Sequence, residues 1–109
     1  MNDPLRPLAR RLLKSVLRCT IYEERSKTDP RFEYLLDIER GIYTDAEKQW
    51  RRGTSQVSSE KALEALKSEF ATARQSVETM LDELEIRDIP ELQRCMSRVE
   101  IATLVSTGP

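Results

Sequence analysis

The sequence predicts an all-α protein, an antiparallel three-helix bundle with a short C-terminal helical extension. Apolar residues recur at steps of three and four along most of the chain, the spacing of a helix that buries one face. Only 3 of the 109 residues are Gly, and no Asn-Gly or Asp-Gly pair is present, so the turns of a β-meander are missing. The length suits one small domain. We expect the bundle over residues 1–86, and a helix with a frayed tail over 87–109.

The first predicted helix runs from about Pro4 to Glu24, because proline is tolerated in a first helical turn. Its apolar arc comprises Leu5, Leu8, Ala9, Leu12, Leu13, Val16 and Cys19. The opposite side carries a cation row, defined as Arg6, Arg10, Lys14 and Arg18 at i, i+4 spacing, with Arg11 beside it. Like charges at this spacing cost an isolated helix about 0.2–0.5 kcal/mol per pair. The row therefore indicates an acidic partner.

The second predicted helix follows a polar loop over residues 25–28. Asp29 as N-cap and Pro30 in the first turn mark its start. Its apolar row is Phe32, Leu35, Leu36, Ile42, Tyr43, Ala46 and Trp50, which Glu39 and Gly41 interrupt. The cations Arg51 and Arg52 in the last turn, followed by Gly53 as C-cap, predict its end.

The third predicted helix begins after a polar loop, with Ser58 as N-cap. Its apolar row is Leu63, Leu66, Phe70, Ala73, Val77, Met80 and Leu84, which suits bundle packing. A short fourth helix is expected from about Pro90 to Val105, carrying Leu92, Met96, Val99 and Ala102.

The residues that enzymes and metal sites require are missing from the sequence. The chain has no His, no Gly-rich phosphate loop, no nucleophile elbow and no metal-ligand spacing. We expect no catalysis, no metal site and no covalently bound cofactor. Cys19 and Cys95 are too few and too far apart to indicate a disulfide framework, and we expect buried, reduced thiols.

Targeting and membrane signals are limited to the N-terminal segment. No apolar run reaches the roughly 18–20 residues of a membrane span, and charges interrupt every candidate signal-peptide core. Residues 1–22 are arginine-rich and acid-poor, as mitochondrial presequences are. We expect this segment to be the first helix of the fold. It could also serve as a mitochondrial targeting signal without being removed.

The sequence disfavours two other partners of the cation row. Its cations could neutralise nucleic-acid phosphates, but the chain is mildly acidic overall and no aromatic residues interleave the row, which disfavours nucleic acid. The amphipathic helix could lie on a membrane, but the bundle would claim its apolar arc, leaving only indirect contact with a membrane.

The segment Leu8-Ala9-Arg10-Arg11-Leu12-Leu13-Lys14 resembles the opening of the LYR-motif (complex I LYR-like) family of small mitochondrial three-helix proteins. Ala9 stands where the motif has Tyr. Trp50-Arg51-Arg52 resembles the Phe-Arg pattern that ends a downstream helix in the family, with Trp50 in place of Phe. Residues 60–66 resemble the family's entry into its third helix, so the likeness covers roughly residues 5–84.

The resemblance implies a non-enzymatic adaptor, accessory subunit or assembly factor in the mitochondrial matrix or on the matrix side of the inner membrane. Its partners would be an acylated acyl carrier protein and a larger protein complex, and the acyl-phosphopantetheine group of the carrier would be the cofactor concerned. The carrier-binding residues would be Arg6, Arg10, Arg11, Lys14, Arg18, Arg51 and Arg52. The acyl chain would lie between the helices, lined by Leu12, Val16, Phe32, Leu36, Tyr43, Leu66 and Phe70.

The sequence leaves two alternatives open. One is a generic helical-bundle subunit that docks an acidic protein surface without any lipid. The other is an RNA-contacting subunit of a mitochondrial ribosome. Nothing in the sequence selects one client complex, and we expect the third helix and residues 85–109 to contact the client.

Overall fold

The computed structural model describes residues 4–84, which form three helices joined by short loops. They are α1 (Leu5–Ser26), α2 (Arg31–Gly53) and α3 (Ser59–Glu83). The predicted all-α, three-helix architecture is confirmed. The predicted fourth helix over residues 90–105 and the expected boundary after residue 86 lie outside the described residues, as does Cys95. No helix within residues 4–84 combines the length and apolarity that crossing a membrane requires.

The first helix, α1, is the middle element of the fold. It packs against both α2 and α3, whereas no Cα atom of α2 lies within 8 Å of a Cα atom of α3. Ion pairs from Arg11 to Asp45 and from Arg18 to Glu39 show that α1 and α2 run in opposite directions. Arg10 pairs with Glu69, and further along both helices Tyr22 contacts Met80, so α3 runs parallel to α1. The bundle is therefore two helices flanking a third.

The hydrophobic core is centred on α1, which contributes more buried apolar residues than either neighbour. Its members are Leu5, Ala9, Leu12, Leu13, Val16, Leu17, Ile21 and Tyr22 from α1, Leu36, Ala46 and Trp50 from α2, and Ala62, Ala65, Leu66, Ala73, Val77 and Leu81 from α3. Burying a leucine-sized side chain contributes about 1.5–3 kcal/mol. Helix α1 is consequently held by apolar contacts on both flanks.

Polar side chains lie at the starts of α2 and α3. The N-cap of α2 is Pro30, not Asp29 as predicted, but the Asp29 carboxylate still accepts a hydrogen bond from the Arg31 backbone N–H at 3.1 Å. The Ser58 hydroxyl oxygen accepts from the Lys61 N–H at 3.2 Å, with Ser58 in extended backbone, so this predicted cap is confirmed.

Gly53 has a packing role instead of the predicted C-cap role. It is the last residue of α2 and lies outside the left-handed region, and Thr54 caps the helix through a 2.7 Å hydrogen bond from its hydroxyl to the Trp50 carbonyl. A Cβ atom on Gly53 would lie 2.5 Å from Cδ1 of Leu8. Glycine therefore permits the close approach of the end of α2 to the start of α1.

Two apolar residues predicted on buried rows are exposed. Ile42 is 36% exposed and Leu84 is 47% exposed. On α3 the buried face is rotated toward Ala62, Ala65 and Leu81, which the predicted row omitted. The sequence row followed the largest side chains, whereas the helix turns its small residues toward α1 because they allow close packing.

Candidate functional site

The cation row lies on a partly exposed side of α1. The side chains of Arg6, Arg10 and Arg11 are 58%, 46% and 44% exposed, and that of Arg18 is 23% exposed. Lys14 is half-buried. The row therefore lies on the side of α1 that is partly open to solvent.

A buried carboxylate on α3 pairs with the start of the row. The side chain of Glu69 is only 5% exposed, and its Oε1 accepts hydrogen bonds from Arg10 Nε at 3.0 Å and Arg10 Nη2 at 2.7 Å. Arg6 Nε lies 3.9 Å from the other carboxylate oxygen. Because a buried charge requires a partner, Glu69 fixes the position of the Arg10 guanidinium.

A second buried carboxylate, on α2, pairs with the end of the row. Glu39 has a side chain only 6% exposed, and its Oε1 lies 2.9 Å from Arg18 Nε. Its Oε2 accepts a 2.8 Å hydrogen bond from the hydroxyl of buried Ser15. Glu39, expected only to interrupt an apolar row, therefore links α2 to two residues of α1.

Most cations of the row have a carboxylate partner on another helix. Arg11 donates to Asp45 Oδ2 at 2.8 Å and also to the Gln49 side chain, both on α2. Since Glu69 lies on α3, both flanking helices supply counter-charges to the row. Lys14 is the cation of the row with no ion pair to any residue between 4 and 84. The helical wheel of α1 alone could not reveal these partners, since they lie on other helices.

The second predicted cation group, Arg51 and Arg52, ends α2. Arg51 pairs with Glu47 one turn earlier on the same helix at 2.7 Å, and both arginines are exposed. The preceding Trp50 is fully buried. Its indole Nε1–H has no hydrogen-bond acceptor in the part of the chain that the structure describes. Residues 50–52 therefore place a buried tryptophan next to two exposed arginines.

The predicted acyl-lining residues divide into two groups. Leu12, Val16, Leu36 and Leu66 are buried members of the core, whereas Phe32, Tyr43 and Phe70 are partly buried at its edge. The Phe32 ring lies against Tyr22, with ring centroids 6.0 Å apart. These edge residues lie on α2 and α3, which each contact α1 but do not contact each other.

Two half-buried groups near Glu39 and Glu47 have raised pKa values. Burial, with the Glu39 charge, raises the pKa of the Cys19 thiol to about 11. Burial, with a hydrogen bond to the Glu47 carboxylate, raises the pKa of Tyr43 to about 12. Both groups are consequently neutral at physiological pH, and Cys19 is a weak nucleophile because the reactive form of cysteine is the thiolate.

Residues 4–84 contain no group of three or more His, Cys, Asp or Glu side chains arranged to hold a metal ion. Comparison with known proteins gives no relative: no family model, curated protein or solved structure matches the chain.

Proposed function

We propose that this protein is a non-enzymatic adaptor that binds an acylated acyl carrier protein through the cation row of α1. The observation that supports it is the excess of positive charge on this side of α1. Five cations, Arg6, Arg10, Arg11, Lys14 and Arg18, face three carboxylates, those of Glu39, Glu69 and Asp45. Charge complementarity with an acidic partner speeds association and orients it.

The internal ion pairs favour docking because they hold the side chains of the row in fixed positions. Glu69 and Glu39 hold Arg10 and Arg18 in place, so less side-chain entropy is lost when a partner binds. Lys14 lies between them on the helix and has no ion pair within residues 4–84, so we expect it to pair with a partner carboxylate.

The acyl chain of the carrier has a candidate location in the seam between α2 and α3. Its proposed lining is the half-buried rings of Phe32, Tyr43 and Phe70, which pack against the core, with buried Leu12 and Val16. Each acyl methylene buried there contributes about 0.8 kcal/mol. With the resemblance to LYR-motif proteins, this arrangement supports a mitochondrial accessory subunit or assembly factor that stabilises a larger complex.

Co-expression with a mitochondrial acyl carrier protein tests the proposal. We expect the carrier to copurify, and intact mass spectrometry to detect its acylated form. Lys14→Glu should abolish copurification with unchanged helical circular dichroism, because Lys14 has no ion pair to another residue of the described segment 4–84. Lys67→Glu, the same charge reversal at an exposed position on α3, is the matched control and should retain the carrier. Recovery of no acylated carrier with the unmodified chain would exclude the proposal.

The alternative is a helical subunit that docks an acidic protein surface without lipid. It is favoured by the deep burial of Leu12, Leu36 and Leu66, which belong to the ordinary core. This alternative would be supported if the carrier copurified equally well with and without its acyl chain.

A further inference from the structure

A stripe of exposed apolar residues follows one side of α2. Tyr34 is 72% exposed, Ile38 is 46% exposed and Ile42 is 36% exposed. Their spacing of four residues places them on one helix face. Exposed apolar residues are ordinary when scattered singly, whereas a contiguous set indicates an interaction surface.

Gly41 lies in the same stripe and is not packed against any other part of residues 4–84. A Cβ atom at Gly41 would meet no heavy atom of this segment within 4 Å. Glycine in a helix interior costs about 1 kcal/mol relative to alanine. Gly41 leaves a notch beside Ile38 and Ile42, where another backbone could approach α2 closely.

The ion pairs between α1 and α2 place this stripe beside the cation row. Arg11 contacts Asp45 and Arg18 contacts Glu39, so the segment of α2 between residues 39 and 45 lies level with the segment of α1 between residues 11 and 18. Ile42 is therefore level with Lys14. Ile38 and Asp45, seven residues apart, point in nearly the same direction, which is the side where Asp45 meets Arg11.

We propose that the stripe Tyr34, Ile38, Gly41 and Ile42 is the apolar half of the docking face, and that the cation row is its charged half. The occupant is one helix of the partner, acidic along one edge and apolar along the next. Its acidic edge meets Lys14 and the arginines of α1, and its apolar edge packs on α2 over the Gly41 notch. This inference rests on the proposed function, because it takes the acidic partner to be the acyl carrier protein.

Two kinds of variant separate the halves of the face. Ile38→Gln with Ile42→Gln removes apolar contact without changing charge, and Gly41→Leu fills the notch. The matched control is Leu84→Gln, which alters a similarly exposed leucine at the end of α3. All four positions are exposed, and unchanged circular dichroism and Trp50 fluorescence would verify the fold of each variant.

Binding of purified acylated carrier protein, measured by surface plasmon resonance, is the readout. We expect the double glutamine variant and Gly41→Leu each to weaken binding by about tenfold or more, through faster dissociation and with unchanged salt dependence. Lys14→Glu should instead slow association and weaken its salt dependence. Leu84→Gln should bind like the unmodified chain.

The outcomes distinguish this inference from the proposed function. Normal carrier binding by the stripe variants would overturn the inference and leave the proposed function standing. Failure of the unmodified chain to bind the carrier would overturn both. If light scattering showed that the free chain dimerises, and the stripe variants lost only this dimer, then the occupant would be a second copy and the inference would be wrong.

Discussion

At the scale of single residues, two buried glutamates, Glu39 and Glu69, give the cations of α1 a structural role. Each lies on a flanking helix and pairs with an arginine of α1, Glu69 with Arg10 and Glu39 with Arg18. The cations that an isolated helical wheel presents as mutually repelling are therefore partly structural. A charge reversal at Arg10 would test stability and partner binding together, which is why Lys14 is the better probe of binding.

We expect Arg10→Ala to lower the free energy of unfolding by about 2 kcal/mol, because among residues 4–84 it leaves the buried Glu69 carboxylate only the more distant Arg6. Adding Glu69→Leu should restore much of the loss, since apolar packing replaces the uncompensated charge. Urea unfolding followed by the fluorescence of buried Trp50 measures both. Lys14→Ala is the control, with an expected change within about 0.5 kcal/mol.

The substitution Gly41→Ala should raise the free energy of unfolding of the free chain by about 0.5–1 kcal/mol. The added methyl group meets nothing within 4 Å, and alanine has the higher helix propensity. The urea midpoint should rise with an unchanged slope. A lower midpoint would mean that Gly41 has a role in packing within this chain.

At the scale of elements, the sequence predicts where the helices begin more accurately than it predicts which of their faces are buried. The Ser58 cap and the Asp29-Pro30 start are decided by residues adjacent in sequence, so their prediction needed no tertiary information. The buried face of α3 depends on how closely it approaches α1, which favours the small residues Ala62 and Ala65 over a larger side chain.

Replacing Ser58 by Ala should cost about 1 kcal/mol of stability, because the Lys61 N–H loses its acceptor at the start of α3. Ser58→Asp should retain stability, since its carboxylate accepts the same hydrogen bond and interacts favourably with the helix dipole. Thermal denaturation by circular dichroism compares the two. Equal melting temperatures for the alanine and aspartate variants would contradict the capping role.

At the scale of the whole molecule, α1 packs against α2 on one flank and against α3 on the other. Its remaining, partly exposed side carries the cation row of the candidate docking face. Its central position explains why the outer helices both supply it with a buried carboxylate. It also brings the apolar stripe of α2 beside the cation row, an arrangement that no single helix contains.

The stability of the whole chain should fall as pH rises from about 9 to about 12. The pKa of Cys19 is raised to about 11 and that of Tyr43 to about 12, so the folded state keeps protons that the unfolded state releases near pH 9 and 10. A raised folded-state pKa gives stability that is present below the unfolded-state pKa and is lost through the folded-state pKa. Urea midpoints between pH 7 and pH 11 measure the decline. Tyr43→Phe should make it shallower, whereas an unchanged slope would assign it to other groups.

The sequence by itself determined the fold class, the extent of the three helices, the Ser58 cap and the amphipathic character of α1. These depend on spacing and on neighbouring residues, which a linear chain displays directly. The tertiary structure decided the pairing of Glu39 and Glu69 with the arginines, the role of Gly53 and the exposure of Ile42. It also left Lys14 without a counter-charge in residues 4–84. Each of these depends on which residues of different helices come within a few ångströms of one another, and that distance is set by packing around α1.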